Sequence, residues 1–276
     1  MKNTKIIAIA NQKGGVAKTT STLNIGVALR RIDMFTHKEK NVLIVDGDPQ
    51  SSLSKAYWHI QDDDEIVGMT ELMTAAMQRK PFNAKTAIRH DDINDIDYIP
   101  ASISLSGIEQ QLVNARLRET TLQRALQDKA IIGEYDYVII DCPPSLSMLL
   151  YNELTAADGV IIPVEPETMS IDGISRLLET VDDVQAYTNP KLNVLGFVLT
   201  KVKDDTTLHR NNEQLIAETF SDIHIIGRAS NHSAVAESVC ESKALALYRE
   251  CVSNKYYNKV AAQYEAIAEY ITLMAR

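Results

Sequence analysis

Seven short runs, apolar at nearly every position, recur along the chain: KIIAIA from Lys5, NVLIVD from Asn41, IDYIP from Ile96, YVIID from Tyr137, GVIIPV from Gly159, VLGFVLT from Val194 and, weakest, IHII from Ile223. A strand with one face in water alternates apolar and polar residues. A strand that does not alternate is covered on both faces, as parallel strands are when helices pack above and below the sheet. Amphipathic helical stretches lie between most of the runs, among them SGIEQQLVNARLRETTLQRALQ from Ser106 and SIDGISRLLETVDDV from Ser170. The alternation predicts an α/β fold, a doubly wound, mostly parallel sheet with helices on both faces. Residues 54–95 break the rhythm and read as a helical insertion ending in an acidic cluster. No internal repeat or low-complexity linker marks a boundary, so one domain over residues 1–276 is expected. The last stretch, KYYNKVAAQYEAIAEYITLM, places Tyr257, Val260, Tyr264, Ile267, Ile271 and Met274 at steps of three and four, the stripe of a helix over about 255–274 packed on its own domain.

Composition narrows the function classes. With 276 residues, 45% of them hydrophobic, the chain can bury a substantial core. It has no run of about 18 apolar residues, and its N-terminus enters a strand pattern directly, without the apolar region of a signal peptide. A cytoplasmic protein with no membrane partner is expected. The polar face of the last helix carries Glu265 and Glu269 rather than lysines, which agrees. Cys142, Cys240 and Cys251 form no CxxC pair, so they read as buried, inert thiols rather than a disulfide framework or zinc site. The net charge of -9 argues against a protein that coats nucleic acid with its whole surface. The acid excess lies in residues 1–190, partly in QDDDE from Gln61 and HDDINDID from His90, both read as solvated loops. From Lys191 onward the chain holds 10 Lys+Arg and 10 Asp+Glu, which leaves room for a local basic patch.

The first run continues into NQKGGVAKTTSTLNIGVAL, a strand, a glycine turn and a helix. This is the arrangement in which backbone N–H groups and a helix N-terminus cradle phosphate. Lys18 supplies a charge for β and γ phosphates, and Thr19 offers a hydroxyl to Mg²⁺. The general pattern GxxxxGK[ST] fails twice, at Gln12 and Ala17. Other features converge on the same edge. VLIVDGDPQ ends a strand with Asp46 and Asp48, two residues apart and on one side if the strand persists, and YDYVIIDCPPS ends another with Asp141. In an open parallel sheet, ligands bind beyond the carboxyl ends of the strands, where all of these residues fall.

KGGVAKTT resembles the deviant Walker A motif KGGxxKT[ST] of the ParA/MinD family of ATPases. DGDPQ is similar to the DxDPQ motif of its ParA/Soj branch, and DYVIIDCPPSL to its Walker B strand. The similarity continues through YIPAS, PVEPETMSIDGISRLLE and, loosely, GRASNHSAVAES. Residues 54–95 compare least. The resemblance implies that ATP with Mg²⁺ is held by Lys13, Gly14, Gly15, Val16, Ala17, Lys18, Thr19 and Thr20. Lys13 matches the signature lysine, which crosses a two-fold interface to the partner subunit's nucleotide; Lys18 serves its own. Asp48 matches the aspartate that positions the attacking water. Asp46 and Asp141 match groups that hold Mg²⁺ through water, and Thr19 matches a direct ligand. Adenine contacts are implied near Thr200 and Gly227. Where the family usually has glycine this chain has Ala17; the methyl group is harmless if φ is negative there, and strained if φ is positive.

The family's task is implied as well. An ATP-dependent homodimer binds DNA without sequence preference, a ParB-type adaptor stimulates weak hydrolysis, and the cycle segregates a plasmid or chromosome, the protein being nucleoid-associated when ATP-bound. Available cations are Lys201, Lys203, Arg210, Arg228, Lys243, Arg249, Lys255 and Lys259. No helix-turn-helix precedes the loop, so operator-specific repression is not expected. Four other readings stay open on the sequence: a MinD-like positioning ATPase, a bacterial tyrosine kinase with its target among the five tyrosines from Tyr248 to Tyr270, an iron-sulfur ATPase using Cys142, and a nucleotide-gated scaffold that does not hydrolyse.

Overall fold

A computed structural model describes residues 3–31, 39–62, 64–203, 205–252 and 255–274. In chain order the elements are β1 (Lys5–Ile9), α1 (Lys18–Arg31), β2 (Val42–Asp46), α2 (Ser52–Trp58), α3 (Met69–Gln78), β3 (Arg89–Asp91), β4 (Ile96–Ile99), α4 (Leu105–Leu112), α5 (Thr121–Leu126), β5 (Tyr137–Asp141) and α6 (Met148–Ala156). They continue with β6 (Gly159–Val164), α7 (Ser170–Tyr187), β7 (Asn193–Val202), α8 (Thr207–Thr219), β8 (Ile225–Ser230), α9 (Ser233–Cys240), α10 (Leu245–Cys251) and α11 (Lys255–Met274). The strands form one sheet in the order β3-β4-β2-β5-β1-β6-β7-β8, parallel except for β3, which runs antiparallel to β4. The doubly wound, mostly parallel sheet expected from the apolar runs is the observed fold.

Every residue of β2, β5 and β6 is buried, as strands covered on both faces must be. One face packs under α1 and α11, with Leu23, Ile25, Tyr264 and Ile267 in its core; the other packs under α3 to α7, with Met73, Leu105, Leu149 and Ile174. The stripe on α11 is buried at Tyr257, Val260, Tyr264, Ile267 and Ile271, whereas Met274, on the last turn, protrudes.

Three local expectations change. The segment from Ser106 is not one helix: α4 stops at Leu112, and Leu117 adopts φ 54°. Continuing the helix would carry no buried stripe, since Val113 and Leu117 are both exposed, and Arg118 and Arg124 instead donate to the carbonyls of Val113 and Leu117. Residues 54–95 contain α3 but also β3, which turns back on β4 through the acidic stretch; Asp91 accepts from the backbone of Ile93 and Asn94 to close that turn. Asp63 of the first acidic cluster lies outside the described residues. Finally, Cys142 is buried, but Cys240 and Cys251 are exposed, because they end the short surface helices α9 and α10.

Candidate nucleotide site

β1 lies inside the sheet, between β5 and β6, and residues 11–17 turn over its carboxyl end before α1 begins. Side chains pin the turn. The Asn11 amide donates to the Pro163 carbonyl at 2.6 Å, its oxygen accepts from the Lys13 N–H at 2.9 Å, and the Thr200 hydroxyl on β7 donates to the Val16 carbonyl at 3.0 Å. Gly15 has φ 74° and Ala17 φ 62°, so the loop needs two left-handed residues and only one of them is glycine. Ala17 also opens α1, its carbonyl accepting from Ser21 N–H at 2.9 Å. The first N–H groups of α1 therefore face the crevice unpaired within the helix, as an anion site requires.

The crevice is a cavity of about 680 Å³. Its lining includes Gly14, Gly15, Ala17, Lys18, Thr19, Thr20 and Asp48 from the loop, α1 and the turn after β2, and Thr200, Asn231, His232, Val235, Val239 and Tyr264 from β7 onward. Lys13, Val16, Asp46 and Asp141, also singled out in the sequence, are outside this lining. The stretch just past Gly227 lines the cavity through Ala229, Ser230 and Asn231, while Gly227 itself is outside the lining; a Cβ there would fall 2.2 Å from Ile267 Cγ1, so this glycine lets α11 approach β8. Tyr264, read from its spacing as packing, does both, since its hydroxyl lies 3.3 Å from Ser21 Oγ.

Asp46 and Asp141 end neighbouring strands in register. The Asp141 carboxylate accepts from Thr19 at 2.7 Å and from Thr22 at 3.2 Å. Asp46 accepts from the Ser54 N–H at 2.9 Å, the Ser54 hydroxyl at 2.7 Å and the Asp48 N–H at 3.2 Å. Burial raises both well above the ordinary carboxylate range; the neighbouring Asp46 charge adds to the rise at Asp141, and the Ser54 bonds oppose it at Asp46. β2 ends at Asp46, so the strand does not persist to Asp48; the chain turns at Gly47, and Asp48 reaches the cavity wall while Asp46 stays behind it. Burial raises Asp48 as well, against the Gln50 N–H and Lys18. Lys18 is lowered by burial, opposed by Asp141 and Asp48, and its ammonium donates to the Lys13 carbonyl at 3.2 Å.

The donor set fits Mg²⁺. Thr19 and Asp141 present hydroxyl and carboxylate oxygens side by side, the hard ligands this ion takes, and two buried carboxylates beside one ammonium form a site short of positive charge.

Lys13 faces elsewhere. Its ammonium pairs with Glu167 on the loop after β6, with the two side chains 34% and 48% exposed. The hydrogen bond and charge of Lys13 hold Glu167 below the ordinary carboxylate value. One loop thus carries one lysine turned inward and one turned outward. Glu167 and Ser54 were given no role from the sequence, although Glu167 stands in the quoted run PVEPETMSIDG. Nothing local marks Ser54, which meets Asp46 only through the fold.

The AAA domain family matches residues 4–194. The sporulation initiation inhibitor protein Soj of Bacillus subtilis is 37% identical over 244 residues, covering 88% of this chain and 91% of Soj. This chain belongs to the ParA/Soj family of partition ATPases. Within that family, the chromosome partitioning protein ParA of Caulobacter vibrioides is 32% identical over 262 residues, 94% of this chain and 93% of that protein. Two uncharacterised Mycobacterium tuberculosis proteins are 39% identical over 221 residues, and the match spans 65% of their length. Among solved structures, cobyrinic acid a,c-diamide synthase from Mycobacterium smegmatis, with bound ATP analog and magnesium, superposes with a TM-score of 0.81 at 32% identity, over 99% of this chain and 96% of that one.

Proposed function

We propose that this protein is a weak, Mg²⁺-dependent ATPase whose ATP-bound homodimer binds DNA without sequence preference and releases it when a ParB-type partner stimulates hydrolysis. The observation that carries the reading is the divergence of the two lysines. Lys18 is 8% exposed and lines its own cavity, whereas Lys13 is outside the lining and pairs with Glu167 at the partly exposed surface, free to serve a second subunit. A cation opposite a buried triphosphate offsets a large electrostatic cost at an interface, which makes assembly depend on the nucleotide.

The other roles follow from position. The backbone of residues 14–20 and Lys18 cradle the phosphates of ATP, and Asp48 on the cavity wall orients the attacking water. Thr19 and Asp141, with Asp46 behind them, would hold Mg²⁺, which when bound neutralises charge on the phosphates. Phosphoryl transfer asks mainly for such positioning.

For DNA, among the described residues Lys203, Arg210 and Lys243 make no ion pair, while Lys201, Arg228 and Arg249 are paired with Glu165, Glu213 and Glu265. The Lys255 ammonium stands over the Tyr256 ring. Dimerisation doubles whatever patch the unpaired cations form. Among the described residues no helix is long and apolar enough to cross a membrane. The proposed cycle takes place in the cytoplasm and, with ATP bound, on the nucleoid. Two alternatives lose support. Cys142 is 1% exposed, which does not suit a cluster shared between subunits, and of the five tyrosines Tyr257 and Tyr264 are packed in the core while Tyr256 is exposed, which narrows the kinase reading to the tyrosines outside the core.

Light scattering with a slowly hydrolysed ATP analogue tests the switch. Wild type should double in mass with the analogue and not with ADP, and Lys13→Ala should stay monomeric. The likeness to a diamide synthase favours a second reading, ATP-dependent activation of a carboxylate. A protein that stays monomeric with the analogue and releases phosphate only in the presence of a carboxylate and an amine donor would replace the first reading by this one.

A further inference from the structure

α8 joins the proposed DNA face to the loop that holds Lys13. Its outer side carries Arg210, exposed and unpaired among the described residues, and Glu213, which pairs with Arg228 of β8. Its inner side is thin: of 13 residues only His209, Asn212 and Ile216 are buried, and two of these are polar. A helix with a full apolar stripe is seated by area, whereas this one depends on a few directional bonds.

Those bonds lead to the phosphate loop by two routes. The Asn212 amide, 7% exposed, donates to the Pro166 carbonyl at 3.1 Å. Pro166 sits between Glu165 and Glu167, the partners of Lys201 and Lys13, and Ser170 Oγ closes the same loop on the Glu165 carbonyl at 2.6 Å. On the second route His209 Nδ1 accepts from the Lys203 N–H at 3.3 Å. Lys203 follows Lys201, which has φ 52°, and Lys201 follows Thr200, whose hydroxyl holds Val16. The bond from Asn212 is the one that lands on the loop carrying the partner of Lys13.

We infer that Asn212 is a positioning residue that makes the seating of α8, and so the presentation of Arg210, depend on where Lys13 is. The inference rests on the proposed role of Lys13 across the dimer. When Lys13 leaves Glu167 for the partner's phosphates, the loop at 165–169 loses an ionic anchor, and its Pro166 carbonyl passes the change to α8 through Asn212. Without the Asn212 bond the dimer still forms, but α8 no longer registers it.

The test uses full-length wild type, Asn212→Leu, which keeps the branched shape and removes the donor, and Asn212→Gln, which keeps a donor. Binding to arbitrary duplex DNA is measured with the ATP analogue and with ADP, and hydrogen exchange of α8 is followed on adding the analogue. In Asn212→Leu the ratio of the two DNA affinities should fall by about two- to twelve-fold, the factor equivalent to a hydrogen bond of about 0.5–1.5 kcal/mol. The nucleotide-dependent change in α8 protection should disappear, while analogue-driven dimerisation stays as in wild type and Asn212→Gln recovers part of the ratio. A merely structural role would weaken both affinities equally, and that result, or an unchanged ratio with α8 still responding, would overturn the inference. If wild type itself binds DNA without regard to nucleotide, the proposed function fails. The exchange data then still decide whether Asn212 couples α8 to the loop.

Discussion

Replacing Ala17 by glycine turns a backbone angle into a thermodynamic sign. At φ 62° an L-residue bears about 1–2 kcal/mol of strain that glycine does not. Glycine in turn loses about 0.5–1 kcal/mol more conformational entropy on folding. The difference predicts that Ala17→Gly is between neutral and about 1.5 kcal/mol more stable than wild type. At about 2.1 cal/mol/K per residue, a 276-residue chain shifts by roughly 2 °C per kcal/mol, so Tm should rise by about 0–3 °C in nucleotide-free calorimetry. Ala17→Val, branched at Cβ, should lower it. ATP affinity should rise in Ala17→Gly by up to about ten-fold, to the extent that the empty loop relaxes out of the left-handed region. If Ala17→Gly instead lowers Tm by about 1–2 °C, glycine is showing only its entropy, φ is not positive, and the strain argument falls with it.

Glu167→Gln should tighten the ATP-driven dimer by about 1.4- to 5-fold in mass photometry, since an exposed ion pair restraining Lys13 is worth about 0.2–1 kcal/mol; a weaker dimer would mean that Glu167 contacts the partner rather than restraining Lys13. Glu153 on α6 is 0% exposed beside Cys142, with neither carboxyl oxygen hydrogen-bonded to a conventional partner among the described residues, and burial raises it well above the carboxylate range. Its native form keeps a proton that the unfolded chain releases near pH 4.3, so wild-type stability falls as pH rises above that value, and the advantage of Glu153→Met in denaturant titrations should grow over the same range; a pH-independent difference would show that Glu153 is already ionised in the fold. Gly227→Ala should lose about 1–3 kcal/mol through overlap with Ile267, and Ile267→Ala should cost less in that background than alone, which a double-mutant cycle by chemical denaturation measures.

The central strands were legible because both-face burial leaves an unambiguous record: β2, β5 and β6 are apolar apart from the aspartates that end β2 and β5, and all their residues are buried. β8 was the weakest signal for the same reason. It is an edge strand, only Ala229 of its six residues is buried, and its polar half reads as loop. β3 was missed because its pairing is set by the turn at Asp91 and Asn94, chemistry that looks like a solvated acidic run in sequence. In the site, Lys18, Thr19, Asp48 and Asp141 were readable from motif and strand ends. The geometry of Asp46 was not, since its partner Ser54 lies eight residues away across a turn. Nor was the pairing of Lys13 with Glu167, 154 positions apart. The reason for the glycine at 227 was not legible either, since a glycine near a ligand and a glycine under a helix look alike until the neighbour, Ile267, is known.

The most direct test of the nucleotide switch is the binding of arbitrary duplex DNA by wild type and Lys13→Ala, with ATP, with ADP and without nucleotide, at two salt concentrations. The account predicts binding by wild type with ATP alone, weakened by salt as phosphate contacts require, and none by Lys13→Ala. Binding by Lys13→Ala equal to that of wild type, or no binding by wild type when nucleotide occupancy is demonstrated, would contradict it.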